Sequence, residues 1–390
     1  MPTMHQLLNR LSLNGRFATR PMTGVDRVAY ELGLAISQLC LEVGGEAPQL
    51  KVLVPKLSRQ QSDTVAQLLS FADLRPGGRL SGQIWEQLEL PFGRTDSWTL
   101  NLCNLGPLLA RRQVLMIHDA QVYLTPGSYS FVFRCWYRII QPWLARRASV
   151  LLTVSEYSRE RLEEVNVFPQ GKATVVYNGV DHMGRIEADA SVLQRHGLIA
   201  GNYFLTIGSL DQHKNLRCVI EAARQCPEGM PKLVLVGGNA SALKTEFDPL
   251  APGRLSFLGR VSDGELKALY ANALSFVFPS ITEGFGLPPL EAMYCGCPVI
   301  ASIGGAIPEI CGDAAYYAAP NDPQAWCRAM VSLAADSELR VKLKATGSAR
   351  AASYTWRKSA IELLQAIAEV EKDAELHEQL NALKAKRLVG

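Results

Sequence analysis

The sequence predicts an α/β protein of two domains, each a parallel sheet covered by helices on both faces. Short apolar runs rich in β-formers recur at 51–54, 114–117, 150–154, 174–177, 203–207, 232–236, 274–278 and 298–301, with helical patterns between them. Strands that are apolar throughout are buried on both sides, and their alternation with helices gives parallel pairing. The chain has 390 residues, and a domain of roughly 100 to 200 residues makes two domains the natural division. Several runs end directly in small or polar residues: Ile117 in His118-Asp119, Val154 in Ser155-Glu156, Ile207 in Gly208-Ser209, Val236 in Gly237-Gly238, Phe278 in Pro279-Ser280. Open parallel sheets bind ligands at the carboxyl ends of their strands, so chemistry is expected there.

Composition narrows the classes. Hydrophobic residues make up 48% and charged residues 20%, the balance of a globular chain rather than a disordered one. A net charge of +3 is too small for the basic face of a nucleic-acid binder. The nine cysteines form no paired CxxC motifs or zinc-like clusters, and Cys295 and Cys297 are too close for an ordinary disulfide. Reduced thiols and a cytoplasmic setting are expected. Asn9, Arg10, Ser12, Asn14 and Arg16 interrupt the first residues, which therefore lack a signal-peptide run. No span reaches the roughly 18 to 20 apolar residues of a membrane crossing.

The strand rhythm runs through residues 1–180, pauses over a polar stretch at 181–200 after Asn178-Gly179-Val180-Asp181, and restarts at Tyr203. The expected division is an N-terminal domain at 1–180, a linker at 181–200, a C-terminal domain at 201–370 and a helix at 371–390 that packs back on the N-terminal domain. Ser262 with Glu265 three residues on forms a capping box, which predicts a helix from Asp263 to about Asn272.

The most informative segment is Glu283-Gly284-Phe285-Gly286-Leu287-Pro288-Pro289-Leu290-Glu291, directly after the 274–278 strand. A glycine-bearing loop that opens a helix presents backbone N–H groups at the positive end of the helix dipole, where a pyrophosphate is well held. Pro288 and Pro289 suit the first turn, which needs no N–H. Two carboxylates on either side of that end can accept hydrogen bonds from the hydroxyls a nucleotide sugar carries on both sides of its diphosphate. The plain alternative is that Glu283 caps the helix and Glu291 is a solvated charge.

This stretch resembles the Glu-x7-Glu motif of the retaining glycosyltransferase family 4. It is joined by Gly208-Ser209 with Lys214-Asn215, by Phe257-Leu258-Gly259-Arg260-Val261-Ser262-Asp263, by Val299-Ile300-Ala301-Ser302 with Gly305 and Pro308-Glu309, and by Asn178-Gly179-Val180-Asp181. The resemblance implies the GT-B fold, two Rossmann-like domains facing across a cleft. It implies that Glu283 contacts hydroxyls of the transferred sugar, Glu291 the ribose, and the backbone of Gly284, Phe285, Gly286 and Leu287 the diphosphate. Ser209 and Lys214 would line the phosphate site, and Arg260 and Val261 would lie beside the base. Many members carry an arginine just after the strand or directly before the lysine, where this chain has Ser209 and His213. The segment Arg20-Pro21-Met22-Thr23-Gly24 resembles the glycine-containing loop that opens the first long helix of these enzymes, with Gly24 near the donor phosphate; a plain helix entry is the alternative.

His118 closes the 114–117 strand and is placed to hydrogen-bond a sugar in flight, a role the resemblance also implies; a satisfied structural histidine is the other reading. From Ala120 to Ser155 there is no acidic residue, while Arg134, Arg138, Arg146 and Arg147 interleave with Tyr129, Phe131, Phe133, Trp136, Tyr137 and Trp143. Such a face suits anionic headgroups or a lipid pyrophosphate acceptor; a core helix with solvated arginines is equally available. Retention by front-face attack requires no protein nucleophile, since the leaving phosphate accepts the proton, and no Asp-x-Asp metal motif accompanies the donor segment; no obligatory metal or other cofactor is expected. Arg20 to Arg27, His118-Asp119 and Leu152 to Ser158 resemble bacterial mannosyltransferases of O-antigen and exopolysaccharide synthesis. GDP-mannose is then the preferred donor, with UDP-glucose or dTDP-rhamnose enzymes, or a non-catalytic nucleotide-sugar-binding protein, as alternatives. The expected partners are a nucleotide sugar, a glycan or lipid-linked acceptor and an anionic membrane surface.

Overall fold

The structure is a computed structural model that describes residues 4–42, 50–92, 97–238, 240–247 and 253–385. The ends of the expected N-terminal domain and C-terminal helix, residues 1–3 and 386–390, therefore lie outside the described residues. The chain divides into two compact units, the first comprising residues 1–124, 129–179 and 355–390, the second 125–128 and 180–354.

The first unit carries a seven-stranded sheet of β1 (Leu11–Asn14), β2 (Leu50–Val54), β3 (Ala72–Pro76), β4 (Trp98–Asn101), β5 (Gln113–Met116), β6 (Val150–Thr153) and β7 (Thr174–Val175), in the order β3-β2-β1-β4-β5-β6-β7. All its pairings are parallel. The second unit repeats the plan with β8 (Tyr203–Ile207), β9 (Lys232–Val236), β10 (Leu255–Gly259), β11 (Ser275–Phe278), β12 (Val299–Ser302) and β13 (Tyr316–Ala318), in the order β10-β9-β8-β11-β12-β13. Both are doubly wound Rossmann-like sheets, whose order reverses between β1 and β4 and between β8 and β11, the points where such sheets take ligands.

Each core follows from the apolar faces of its helices. In the second unit Val219 and Ile220 from the helix Leu216–Gln225, and Trp326 and Met330 from the helix Pro323–Ala335, bury against Phe204, Leu235 and Val277. In the first, Ile140 and Leu144 of the helix Phe131–Arg147 close over Leu115, Ile117 and Leu151. Burial of each such side chain contributes roughly 1.5 to 3 kcal/mol. The expected capping box is formed: Ser262 accepts from the Glu265 N–H, the Glu265 side chain returns to the Ser262 N–H, and the helix runs Asp263–Asn272.

The second unit ends at Tyr354, where the sequence reading ran on to 370. The helix Trp356–Glu371 buries Ile361, Leu364 and Ile367 within the first unit and packs against the helix Gly24–Glu42, with Arg357 Nη2 2.9 Å from Glu42 Oε2. The helix Ala374–Ala385 follows in the same unit, and Gln379 Oε1 accepts from the Met4 N–H at 3.3 Å. Within 181–200, where no strand was expected, a short 3-10 turn (Asp181–Arg185) and a helical turn (Ser191–Arg195) form.

Candidate functional site

Most of the residues expected on the donor side lie in the second unit, beyond the carboxyl ends of β8 and β11. Beyond β8 the chain makes a 3-10 turn, Gln212–Lys214, and Asn215 follows in the left-handed region at φ 54°. Asn215 Nδ2 donates to the Pro279 and Pro320 carbonyls at 3.1 and 2.6 Å, which ties this turn to the end of β11. The result is a short ion pair, Lys214 Nζ to Glu283 Oε1 at 2.8 Å, both side chains largely withdrawn from solvent.

Glu283 is fixed by its backbone. The Ala306 N–H donates to its carbonyl at 3.0 Å, and the stretch from Ile281 to Glu283 lies directly on Gly304 and Gly305. A Cβ at Gly304 would stand 2.0 Å from the Ile281 carbonyl oxygen, and one at Gly305, where φ is +65°, 2.4 Å from the Glu283 nitrogen. Glu283 does not cap the following helix: the cap is Gly286, at φ 106°, and no side chain bonds there. The helix Leu287–Tyr294 starts from this glycine with Pro288 and Pro289 in its first turn. Proline has no N–H, so of the first three residues of this helix only Leu287 carries a backbone donor. Phe285 anchors the loop, 5% exposed and edge-on to Tyr354 with centroids 6.0 Å apart.

Glu291 is not a solvated charge. Its Oε1 lies 3.3 Å from His182 Nε2, and its Oε2 accepts from the Tyr270 hydroxyl at 3.4 Å. His182 is 2% exposed and Tyr270 fully buried, so the carboxylate is braced from below by two groups in the protein. No hydrogen bond joins Glu283 to Glu291, which serve separate ends of the segment. His182 was missed because it falls in the polar stretch read as a linker; its signal was its place directly after Asp181.

Ser209 turns its hydroxyl to Asp211, where it donates to Oδ2. His213, 9% exposed, has its Nδ1 buried without a partner among the described residues, and burial followed by the charge of Lys214 lowers its pKa. Neither residue supplies the positive charge of the arginine that many similar enzymes carry. Arg260 and Val261 follow β10, and the Arg260 guanidinium is exposed with no protein partner among the described residues.

His118 and Gly24 belong to the first unit. His118 follows β5 and is 5% exposed. Its Nε2 lies 2.8 Å from the Leu102 carbonyl, which can only accept, so the proton sits on Nε2 and Nδ1 keeps its lone pair. Burial pushes its pKa down to about 4, leaving the ring neutral at ordinary pH. Gly24 opens the helix Gly24–Glu42, whose entry is locked by fully buried Asp26: it accepts from the Thr23 N–H and hydroxyl at 3.0 and 2.7 Å and from Arg20 Nη2 at 2.6 Å. A Cβ at Gly24 would meet nothing within 4 Å, so close packing inside the protein does not require this glycine.

Residues 196–350 match the family described as Glycosyl transferases group 1, and residues 96–183 the family Glycosyltransferase Family 4. The chain is 29% identical over 385 residues to an O-antigen chain mannosyltransferase B of Escherichia coli, a match spanning 90% of this chain and 98% of that one. It is 30% identical over 230 residues to the O-antigen chain mannosyltransferase RfbU of Salmonella typhimurium strain LT2, spanning 58% and 62%. Its fold superimposes on the crystal structure of Anabaena HepE in complex with UDP and glucose, with a TM-score of 0.70, 18% identity, and 93% and 99% of the two chains covered.

Proposed function

We propose that this chain, which is a family-4-type glycosyltransferase of GT-B fold resembling mannosyltransferases, moves mannose from GDP-mannose, with retention, onto a glycan or lipid-linked glycan of a bacterial surface polysaccharide. The observation that carries this reading is the Lys214–Glu283 pair beside the Gly286-opened helix at the β8/β11 switch point. A cation and a helix N-terminus meet the charge of a departing diphosphate, and the carboxylate beside them faces hydroxyls of the sugar. Glu291 holds the ribose and Arg260 and Val261 flank the base. His118 accepts a hydrogen bond from the sugar at Nδ1, and Gly24 lets the helix entry approach phosphate. No obligatory metal is required, since the charge is met by Lys214 and backbone N–H groups. The two O-antigen mannosyltransferase relatives favour mannose over glucose or rhamnose. One experiment tests the whole: transfer from GDP-mannose in excess EDTA, with the product's anomeric coupling read by NMR. Turnover with an axial product is expected; inversion, or rescue only by magnesium or manganese, removes the mechanism.

Glu291→Gln is expected to raise the donor KM about tenfold while kcat stays within a few-fold, because a ribose contact is nearly the same in ground and transition states. Gln keeps an acceptor for Tyr270, so the fold should hold. A kcat loss larger than the KM change would take Glu291 away from the ribose.

The helix Phe131–Arg147 gives the acceptor side its character. Phe133 and Tyr137 turn inward in a stack with Tyr129, at centroid distances of 5.4 and 4.1 Å. Val132, Trp136, Ile139 and Trp143, spaced as one helical stripe, are 77%, 36%, 63% and 63% exposed. No described helix is long and apolar enough to cross a membrane. An outward apolar stripe flanked by Arg134, Arg138, Arg146 and Arg147 suits the interface of an anionic leaflet, each arginine contributing about 1 kcal/mol. Changing the four arginines together to Ser should weaken binding to phosphatidylglycerol vesicles on the order of a thousandfold and leave donor binding alone. Equal vesicle binding by the variant would make the stripe a protein-facing surface.

A further inference from the structure

His118 is gripped at its ring and at both ends of its main chain. Its Nε2 lies 2.8 Å from the Leu102 carbonyl, in the turn that follows β4. Its N–H, two residues past the end of β5, donates to Asn104 Oδ1 at 2.8 Å. Its carbonyl accepts from the Ser158 hydroxyl at 2.8 Å, and Ser158 is itself 1% exposed in the first turn of the helix Glu156–Glu164. Nδ1 is the ring nitrogen left over: it bonds to no described residue, and it is not among the polar atoms sealed in the interior without a partner. A histidine that is 95% withdrawn from solvent thus keeps one ring acceptor open.

The anchor of this arrangement is Asn104. Its backbone is left-handed, with φ 66°, a conformation that asparagine tolerates better than most side chains. Both of its backbone groups are tied down. The N–H donates to the Met116 carbonyl at 3.1 Å, and the carbonyl accepts from Gln141 Nε2 at 3.3 Å. Gln141 is 2% exposed, and its Oε1 takes the Tyr123 hydroxyl at 3.1 Å. Asn104 therefore offers its Oδ1 from a point fixed to both β5 and the helix Phe131–Arg147. The bond to His118 satisfies a buried N–H, which would be needed in any fold. The paired grip achieves more, because Leu102 and Asn104 belong to one short turn and hold the ring and the main chain of the same residue. Together they fix the direction of Nδ1.

We propose that Asn104 is a positioning residue for sugar transfer, holding His118 so that Nδ1 stays aimed at a hydroxyl of the sugar. This rests on the reading that His118 accepts a hydrogen bond from the sugar. Asn104 acts wholly through His118 and touches neither donor nor acceptor.

A double-variant cycle in transfer from GDP-mannose tests this, with every variant checked by circular dichroism. Asn104→Gly keeps the left-handed backbone and removes the acceptor, so it should lower kcat about tenfold. Asn104→Asp retains both backbone and acceptor and should recover most of that loss. Asn166→Gly, at φ 59° in the same unit, is the control and should turn over like wild type. GDP affinity, read by calorimetry, should not change in any of them. The decisive comparison is Asn104→Gly made in His118→Ala, which should be no slower than His118→Ala alone, because the group it positions is gone. Equal losses from Asn104→Gly in both backgrounds would make Asn104 a structural partner of the turn and overturn the proposal. So would a fully active Asn104→Gly beside an impaired His118→Ala, and that result would leave the role of His118 standing. Full activity in His118→Ala would remove the reading of His118 itself, and the positioning role with it.

Discussion

Glu283→Gln is expected to lower kcat about a hundredfold or more, roughly 2.7 kcal/mol of barrier, while GDP affinity changes by only a few-fold. The substitution is close to isosteric and retains an oxygen for Lys214, which now lies 2.8 Å from the carboxylate. On the proposed function, what it removes is the charge beside the carbon that becomes positive as the glycosidic bond breaks. Removing that charge also releases Lys214 toward phosphate, so ground-state binding of the diphosphate should hold or tighten. The two effects are coupled through one ion pair, and Lys214→Met with the double variant would measure that coupling. Lys214→Met alone should show the opposite signature, a large loss of GDP affinity. Steady-state kinetics and calorimetry on variants checked by circular dichroism decide the matter. Full activity in Glu283→Gln would sink the assignment, and a loss confined to binding would make Glu283 only the clamp that positions Lys214.

The second unit was the more legible half because its punctuation is local. The Ser262 capping box, the prolines of the Leu287 helix and the glycines around Glu283 act over a few residues, and their geometry follows from chain sterics alone. In the first unit, β1 and β4 were missed. They read Leu-Ser-Leu-Asn and Trp-Thr-Leu-Asn, alternating where continuous apolar runs were sought, because one face of each carries Ser12 or Thr99 and the network that joins Asn14, Asn101 and Glu86. β3 was hidden by Arg75 and Pro76 at its exposed end. The destination of the Trp356–Glu371 helix was equally invisible. Its buried stripe shows that it covers something, but periodicity carries no information on which sheet.

The candidate site was legible in its charged residues and not in their supports. Lys214, Glu283 and Glu291 stand out as ionisable groups shortly after strand ends and around the glycine-bearing loop, whereas His182, Tyr270 and Tyr354 hold the segment through contacts made far along the chain. The neutral state of His118 depends on burial and its tautomer on the Leu102 carbonyl, both products of the fold.

Gly305→Ala is expected to damage the donor site more than any charge-preserving change outside it. The glycine has φ +65°, where a Cβ costs about 1 kcal/mol, and its added methyl would stand 2.4 Å from the Glu283 nitrogen and 2.7 Å from the Glu283 carbonyl oxygen. Backbone cannot swing aside as a flexible side chain does, so either the 281–287 loop or the turn after β12 must move. Strain and displacement together should destabilise by about 2 to 4 kcal/mol, a fall in Tm on the order of 5 to 15 °C for a unit of this size. The same displacement shifts the Glu283 carboxylate from Lys214, and a misplacement near 1 Å suffices for about a hundredfold loss of rate. Gly201→Ala supplies the control: Gly201 has φ +73° in the same unit, but nothing lies within 4 Å of its Cβ. It should lose about 1 kcal/mol of stability and keep its GDP affinity and kcat. Differential scanning calorimetry and GDP titration on the pair separate strain from displacement. If Gly305→Ala binds GDP and turns over like Gly201→Ala, the approach of the Glu283 backbone to Gly305 is not what holds the carboxylate in place.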